Sequence, residues 1–316
     1  MTLNTVVSKA GCKLSVCMIT YNQETFVRQA VQSVFSQKTD FEFEVVIGDD
    51  ASKDGTAAII SSLTPPEGVL LNFIRRGANL GMLPNFVSTL AQCSGQYVAL
   101  LEGDDYWIDA NKLQRQVDFL DANPDFSICY HPVKIDKGTG RLMEEDGVVE
   151  RDVSDIYDLA KGNFMHTCSV VFRAKLFNEF PETFFSSTVG DYFLHMLNAQ
   201  YGKIKKLPLT MGVYRIHEGG VWSLQPNMDL KILTYLEAMA DCFNPDVDLI
   251  LKNRHKMIAA KSFFSRLSEE EFEQRLRRCC IFGSDVFQVE LINRLSNRES
   301  RYFCDRFKSV LRRFIA

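Results

Sequence analysis

Three short apolar runs, each broken off by a polar cluster and followed by a helical pattern, constrain this chain more than any other feature. Leu14 to Ile19 runs into Thr20, Tyr21 and Asn22. Phe43 to Gly48 runs into Asp49 and Asp50. Tyr97 to Leu101 runs into Glu102, Asp104 and Asp105. After them, Phe26, Ala30, Val31, Val34 and Phe35 recur at helical spacing, as do Ala57, Ile60 and Leu63, and later Leu113, Val117 and Leu120. Strand–helix alternation of this kind predicts an α/β fold with a mostly parallel central sheet flanked by helices. Ligands bind such sheets beyond the carboxyl ends of the strands, so the three polar clusters are expected to converge on one crevice.

The third cluster carries the strongest chemical signal. Three carboxylates within four positions repel one another, and a divalent cation would relieve that repulsion. Hard cations such as Mg²⁺ and Mn²⁺ take oxygen ligands, typically one or two carboxylates together with phosphate oxygens of a substrate. The plainer reading is a solvated acidic turn in which Asp104 or Asp109 caps the next helix.

The motifs resemble those of family-2 glycosyltransferases, enzymes with the nucleotide-sugar-binding fold called GT-A. The resemblance rests on Ser15 to Asn22, Gln29 to Gln37, Glu44 to Thr56, Asn79 to Gly81 with Asn85, and Gly95 to Asp105. It covers roughly residues 13 to 130, and the order and spacing are specific only when taken together. Two positions depart from the family pattern. Its usual Asp-Asp-Gly-Ser reads Asp49-Asp50-Ala51-Ser52 here, and its first metal-motif Asp is Glu102. The resemblance implies that Thr20, Tyr21, Asn22, Glu24, Asp50, Asn79 and Asp104 bind the nucleotide sugar, with Asp50 on the base. It implies Asp105 and His217 as metal ligands for Mn²⁺ or Mg²⁺. Arg76 or Arg75 would add a contact to base or phosphate, with solvated surface arginines as the alternative.

The stretch from 131 to 227 is expected to carry the acceptor side. Ser169 to Phe172 reads as a strand, and Tyr192 to Tyr201 as a helix stopping at Gly202. Asp191 just before that helix reads as an N-cap with His195 one turn on. The resemblance instead implies that Asp191, in a Gly-Asp pair, is the general base. Tyr214-Arg215-Ile216-His217 and the two glycines after Glu218 resemble the family's C-terminal motif, where the His completes a metal or diphosphate site. Without the resemblance, His217 reads as structural, as His131, His166 and His255 do by default.

Composition sets limits. The 316 residues are 46% hydrophobic and 24% charged, ordinary globular material with net charge −4, and nothing in it points to a nucleic-acid partner. The nine cysteines form no Cys-x-x-Cys pair, which fits reduced thiols in a cytoplasmic protein better than a disulfide framework or zinc site. The first residues lack the apolar core of a signal peptide, and no run approaches a membrane span. The acidic excess lies in residues 1–227, expected to form the catalytic domain, whereas the helical stretch 228–316 is net basic. Its last part, 294–316, places Phe303, Phe307, Val310, Leu311 and Phe314 on one face with basic residues around it. That pattern fits a helix packing on the catalytic domain or a twin subunit, and equally an interfacial helix drawn to anionic lipid on the inner face of a membrane.

The expected activity is therefore inverting transfer of a sugar from a nucleoside diphosphate, UDP by resemblance. The acceptor would be a hydroxyl on a saccharide or lipid-linked saccharide, in surface polysaccharide or lipopolysaccharide assembly. A nucleotidyltransferase would need a Gly-rich basic loop after the first strand. A dinucleotide-dependent dehydrogenase would need Gly-x-Gly-x-x-Gly there, and Thr20 to Glu24 is neither. A non-catalytic nucleotide-sugar-binding or scaffold protein is the remaining alternative.

Overall fold

The computed structural model describes residues 12–144, 151–220 and 227–265. In chain order the elements are β1 (Leu14–Thr20), α1 (Val27–Phe35), β2 (Phe43–Asp49), α2 (Thr56–Ser61), β3 (Val69–Arg75), α3 (Met82–Leu90), β4 (Tyr97–Glu102), β5 (Tyr106–Trp107) and α4 (Lys112–Ala122). They continue with β6 (Phe126–Tyr130), β7 (Val133–Asp136), β8 (Leu142–Glu144), β9 (Val153–Ser154), α5 (Ile156–Lys161), β10 (Val171–Arg173), α6 (Asp191–Ala199), β11 (Lys203–Lys206), β12 (Gly212–Arg215), α7 (Met228–Met239) and α8 (Pro245–Ser265). The described residues form two compact units, 12–144 with 151–180 and 190–220, and 181–189 with 227–265.

The first unit is built on an eight-stranded sheet of order β3-β2-β1-β4-β10-β6-β11-β9. Strands β3, β2, β1 and β4 are mutually parallel, and β10 enters antiparallel between β4 and β6. A four-stranded sheet, β5-β12-β7-β8, accompanies it. The central strands are near-continuous apolar runs because helices cover both faces, the usual condition of a parallel sheet. Leu14, Val16, Met18, Val45, Ile47, Ala99 and Leu101 share one core cluster with Val27, Ala30, Val31 and Val34 of α1. Each fully buried aliphatic side chain of this kind contributes about 1.5–3 kcal/mol relative to exposure.

Register brings the strand ends level. Thr20 stands opposite Asp49, and Ile19 opposite Glu102. The three polar clusters therefore meet at one edge, as the alternation of strands and helices requires. Gly103 is the residue that lets them close up. A Cβ there would lie 2.4 Å from Gln23 Oε1 and 2.8 Å from Thr20 Oγ1, so the turn after β4 can approach β1 only without a side chain.

Two local readings shift. The strand expected over 169–172 begins at Val171, because Thr167–Ser169 forms a single 3₁₀ turn. Ser169 bends the chain there, its amide and its hydroxyl both donating to His166 O, at 2.9 and 2.7 Å. Asp191 is the first residue of α6, but Gly190 occupies the cap position and no side chain caps the helix, so the N-cap reading of Asp191 does not hold.

Ala51 sits at φ 60°, in the left-handed region that favours glycine. Alanine there costs about 1–2 kcal/mol, while glycine would lose about 0.4–1 kcal/mol through a freer unfolded chain. Ala51→Gly is therefore expected to stabilise the protein by about 0.5–1 kcal/mol. An unchanged or lower midpoint in urea unfolding would contradict that balance.

In the second unit, α7 and α8 pack together, with the 3₁₀ turn Glu182–Ser186 against α7. Phe184, Leu233, Leu236, Met239, Val247 and Leu251 are buried there. His255 Nε2 lies 3.2 Å from Glu237 Oε1, a structural role as expected for that histidine. The basic, aromatic stretch 294–316 lies outside the described residues.

Candidate active site

The acidic end of β4 is the centre of the site. One carboxylate oxygen from each of Glu102, Asp104 and Asp105 can be chosen so that all lie within 4.8 Å of one another. Asp105 is 1% exposed, and its Oδ1 accepts the Arg215 amide at 2.8 Å. Its Oδ2 and Asp104 Oδ1 are buried without a hydrogen-bond partner. Buried carboxylate oxygens are rarely left so, because the loss of water is otherwise uncompensated. Burial, with the Asp104 charge second, pushes the Asp105 carboxyl well above its usual range. Burial, then Asp104, Asp105 and Asp191, does the same to Glu102. A divalent cation would meet both needs, supplying a partner for the bare oxygens and cancelling the repulsion. The residues present fit such an ion.

His217, 113 positions along the chain from Asp104, places Nε2 3.0 Å from Asp104 Oδ2, and its ring packs 4.7 Å from that of Phe26. It thus reaches the cluster through Asp104. The charge of Asp191, the first residue of α6, adds to the repulsion that raises the Glu102 carboxyl. The Thr167 hydroxyl donates to Asp191 Oδ2 at 2.9 Å. His195, one turn further on, is wholly buried, and burial lowers its pKa to about 4 against the opposing charge of Asp191, so it is neutral at pH 7.

The remaining candidates line the loops after β1 and β2, and several hold those loops to each other. Asn22 N donates to Ser52 Oγ at 2.9 Å and Asn22 Oδ1 accepts Lys53 N at 2.8 Å. Glu24 Oε2 accepts Gly55 N at 2.6 Å. Ser52 Oγ in turn donates to Asp49 Oδ1. Thr20 is buried with its hydroxyl on Gln23, whereas Tyr21 is 41% exposed at the rim. Asp50 Oδ1 and Oδ2 accept the amides of Leu80 and Gly81 at 2.7 and 2.9 Å, and Asn79 Nδ2 donates to Asp50 O at 3.2 Å. Asp50 and the Asn79 loop are therefore one rigid piece. Arg76 is not brought to this group. Its guanidinium is spent on α3, at Asn85 Oδ1 (3.0 Å), Ser88 Oγ (2.5 Å) and Thr89 Oγ1 (3.2 Å).

Two positions had no assigned role in the sequence. Arg215 gives its amide to Asp105, donates from Nη1 to Asp104 O and from Nη2 to Gln29 Oε1, each at 2.5 Å, and stacks 4.3 Å over the Tyr106 ring. Thr167 orients Asp191. Arg215 stood inside a quoted motif, which was the available signal; nothing local marked Thr167.

A family model described as glycosyl transferase family 2 matches residues 15–180. The chain belongs to glycosyltransferase family 2. An uncharacterized protein of Mycobacterium tuberculosis is 39% identical over 219 residues, 66% of this chain and 60% of that relative. The match thus spans about three fifths of that curated relative's length. Among solved structures, S. aureus TarS 1–349 in complex with UDP-GlcNAc superposes with TM-score 0.63 at 22% identity, covering 84% of this chain and 79% of that one. The mannosyltransferase PcManGT from Pyrobaculum calidifontis, in complex with GDP-Man and Mn²⁺, gives 0.58 at 16% identity, covering 95% and 84%. These likenesses establish the GT-A type fold.

Proposed function

We propose that the protein transfers a sugar, with inversion, from a nucleoside diphosphate to a hydroxyl of a saccharide or lipid-linked saccharide, with Asp191 as base. The observation that carries this reading is the cluster of Glu102, Asp104 and Asp105 at the end of β4, with bare buried oxygens and the Asp191 charge adding to its repulsion. Family membership supports the reaction class.

Asp191 would accept the proton of the acceptor hydroxyl as that oxygen attacks the anomeric carbon from the face opposite the leaving diphosphate. One displacement inverts the configuration, and no covalent nucleophile is required. Thr167 holds Asp191 Oδ2, which leaves Oδ1 with no hydrogen bond among the described residues and available to the acceptor. Neutral His195 behind Asp191 adds no competing charge at pH 7. Asp105 and Asp104, with Glu102, would hold Mn²⁺ or Mg²⁺, which supplies positive charge beside the departing diphosphate. His217 braces Asp104 in that role, and Arg215 fixes the two aspartates to β12. Asp50 and the loop it secures would form the base pocket, with Tyr21, Asn22 and Thr20 at base and ribose. UDP is the proposed nucleotide. The TarS complex contains UDP-GlcNAc and the PcManGT complex GDP-Man, so the fold accommodates more than one base.

No helix among the described residues is long and apolar enough to cross a membrane. Peripheral attachment through 294–316, near a lipid-linked acceptor in surface polysaccharide assembly, belongs to the same proposal.

The test is a panel of UDP-, GDP- and dTDP-sugars, with and without Mn²⁺, scored by release of the nucleoside diphosphate. Turnover of a UDP-sugar that stops in EDTA and returns with Mn²⁺ is expected. Full turnover in EDTA would remove the metal from the reading. Absence of turnover with every donor, together with retained UDP binding, would favour the non-catalytic alternative.

A further inference from the structure

Lys112, the first residue of α4, is 0% exposed. Its ammonium donates to Gln116 Oε1 at 2.7 Å and lies 4.1 Å from the centre of the Trp107 ring, and no described carboxylate pairs with it. Burial, set against the nearby Cys129 and Cys168 thiols, brings its pKa down to about 7. An ammonium kept in such a place is a cost to the folded state, because one neutral acceptor and a ring face replace its water only in part. A methionine would remove that cost but would leave the buried Gln116 Oε1 without its donor, a loss of about 1–3 kcal/mol.

Both partners of Lys112 reach the same turn of chain. Trp107 Nε1 donates to Cys168 O at 2.8 Å, and Gln116 Nε2 donates to Ser169 O at 2.9 Å. The ammonium on Gln116 Oε1 settles which way that amide faces, so its NH₂ end must point at the turn. The turn itself, Thr167–Ser169, touches both halves of the site. Thr167 donates to Asp191, and the turn packs against β4.

We propose that Lys112 is a positioning residue which, through Trp107 and Gln116, fixes the Thr167–Ser169 turn and thereby sets Asp191 against the carboxylates of β4. The inference rests on Asp191 acting as base. Misplacing a catalytic group by about an ångström can cost up to about 10²-fold in rate, so a brace three contacts away has room to matter.

The experiment compares wild type, Lys112→Met, Trp107→Phe and Asp191→Asn at pH 7, on the donor identified by the nucleotide-sugar panel. Lys112→Met is expected to keep UDP affinity in Mn²⁺ within about 2-fold and to lower kcat by about 10-fold or more. Trp107→Phe keeps an aromatic face but loses the indole N–H, and is expected to lower kcat in the same way. In the Asp191→Asn background, Lys112→Met should cost nothing further, because the group it positions is already disabled. A UDP affinity in Lys112→Met that falls as far as kcat would mark a general structural loss and overturn the inference. So would full kcat in both brace variants, or a loss that multiplies with Asp191→Asn. If Asp191→Asn itself turns over normally, the base assignment falls instead, and that outcome is separately visible.

Discussion

Asp191→Asn is expected to lower turnover by about 10²- to 10⁴-fold, the range that removal of a general base usually costs, while UDP affinity and fold stay near wild type. The structure makes this substitution clean. Gly190, not Asp191, occupies the cap of α6, so the helix loses no capping group. The Asn carbonyl can still accept the Thr167 hydroxyl that now goes to Asp191 Oδ2. What disappears is the charge that would take the proton in the proposed reaction. Steady-state rates with isothermal titration of UDP separate the two effects. An unchanged rate, or a protein that no longer folds, would return Asp191 to a helix-terminal role.

Asp105→Asn is expected to abolish tight Mn²⁺ binding and to reduce turnover by about 10²- to 10³-fold, comparable to removing one electrostatic stabiliser of a transition state. Asparagine is preferable to alanine here. Asp105 Oδ1 accepts the buried Arg215 amide, and stranding that donor would cost about 1–3 kcal/mol for reasons unrelated to metal. The metal-free variant should also be more stable than metal-free wild type at pH 7. The sign follows from linkage. The Asp105 carboxyl has a pKa raised in the folded state, so between its ordinary value and the raised one the folded chain binds more protons than the unfolded. Its contribution therefore falls as pH rises through that window. The stability gap between variant and wild type should widen from pH 4 upward and close when Mn²⁺ is added to wild type. Urea midpoints across pH, with and without Mn²⁺, measure it. A gap that ignores both pH and metal would remove the electrostatic account of the cluster.

The departures from family pattern read differently once the backbone is known. Ala51 occupies a left-handed turn, which explains why glycine is usual there and confines the expected effect to stability. Glu102 remains in the carboxylate cluster, its oxygen within reach of the other two. Glu24, by contrast, spends one carboxylate oxygen on Gly55 N, which ties the loop after β1 to the loop after β2.

The sequence by itself determined the strand–helix alternation, the runs that became β1, β2 and β4, and the polar clusters that end them. Those are local facts: a short apolar run bounded by polar residues is consistent with a strand buried on both faces. The register of the folded sheet then puts Thr20 opposite Asp49 and Ile19 opposite Glu102. Only the tertiary structure decided what each polar side chain does at that edge. Arg215 reaches Asp105 across 110 positions and Gln29 across 186, and Thr167 meets Asp191 across 24. Arg76 turned to hydroxyls of α3 that its neighbours in sequence did not reveal. Lys112, which no motif marks, is buried over Trp107. Hydrogen bonds and buried charges are satisfied by whichever partner the fold brings within about 3 Å, and that choice is made by packing between elements, not by the spacing within one.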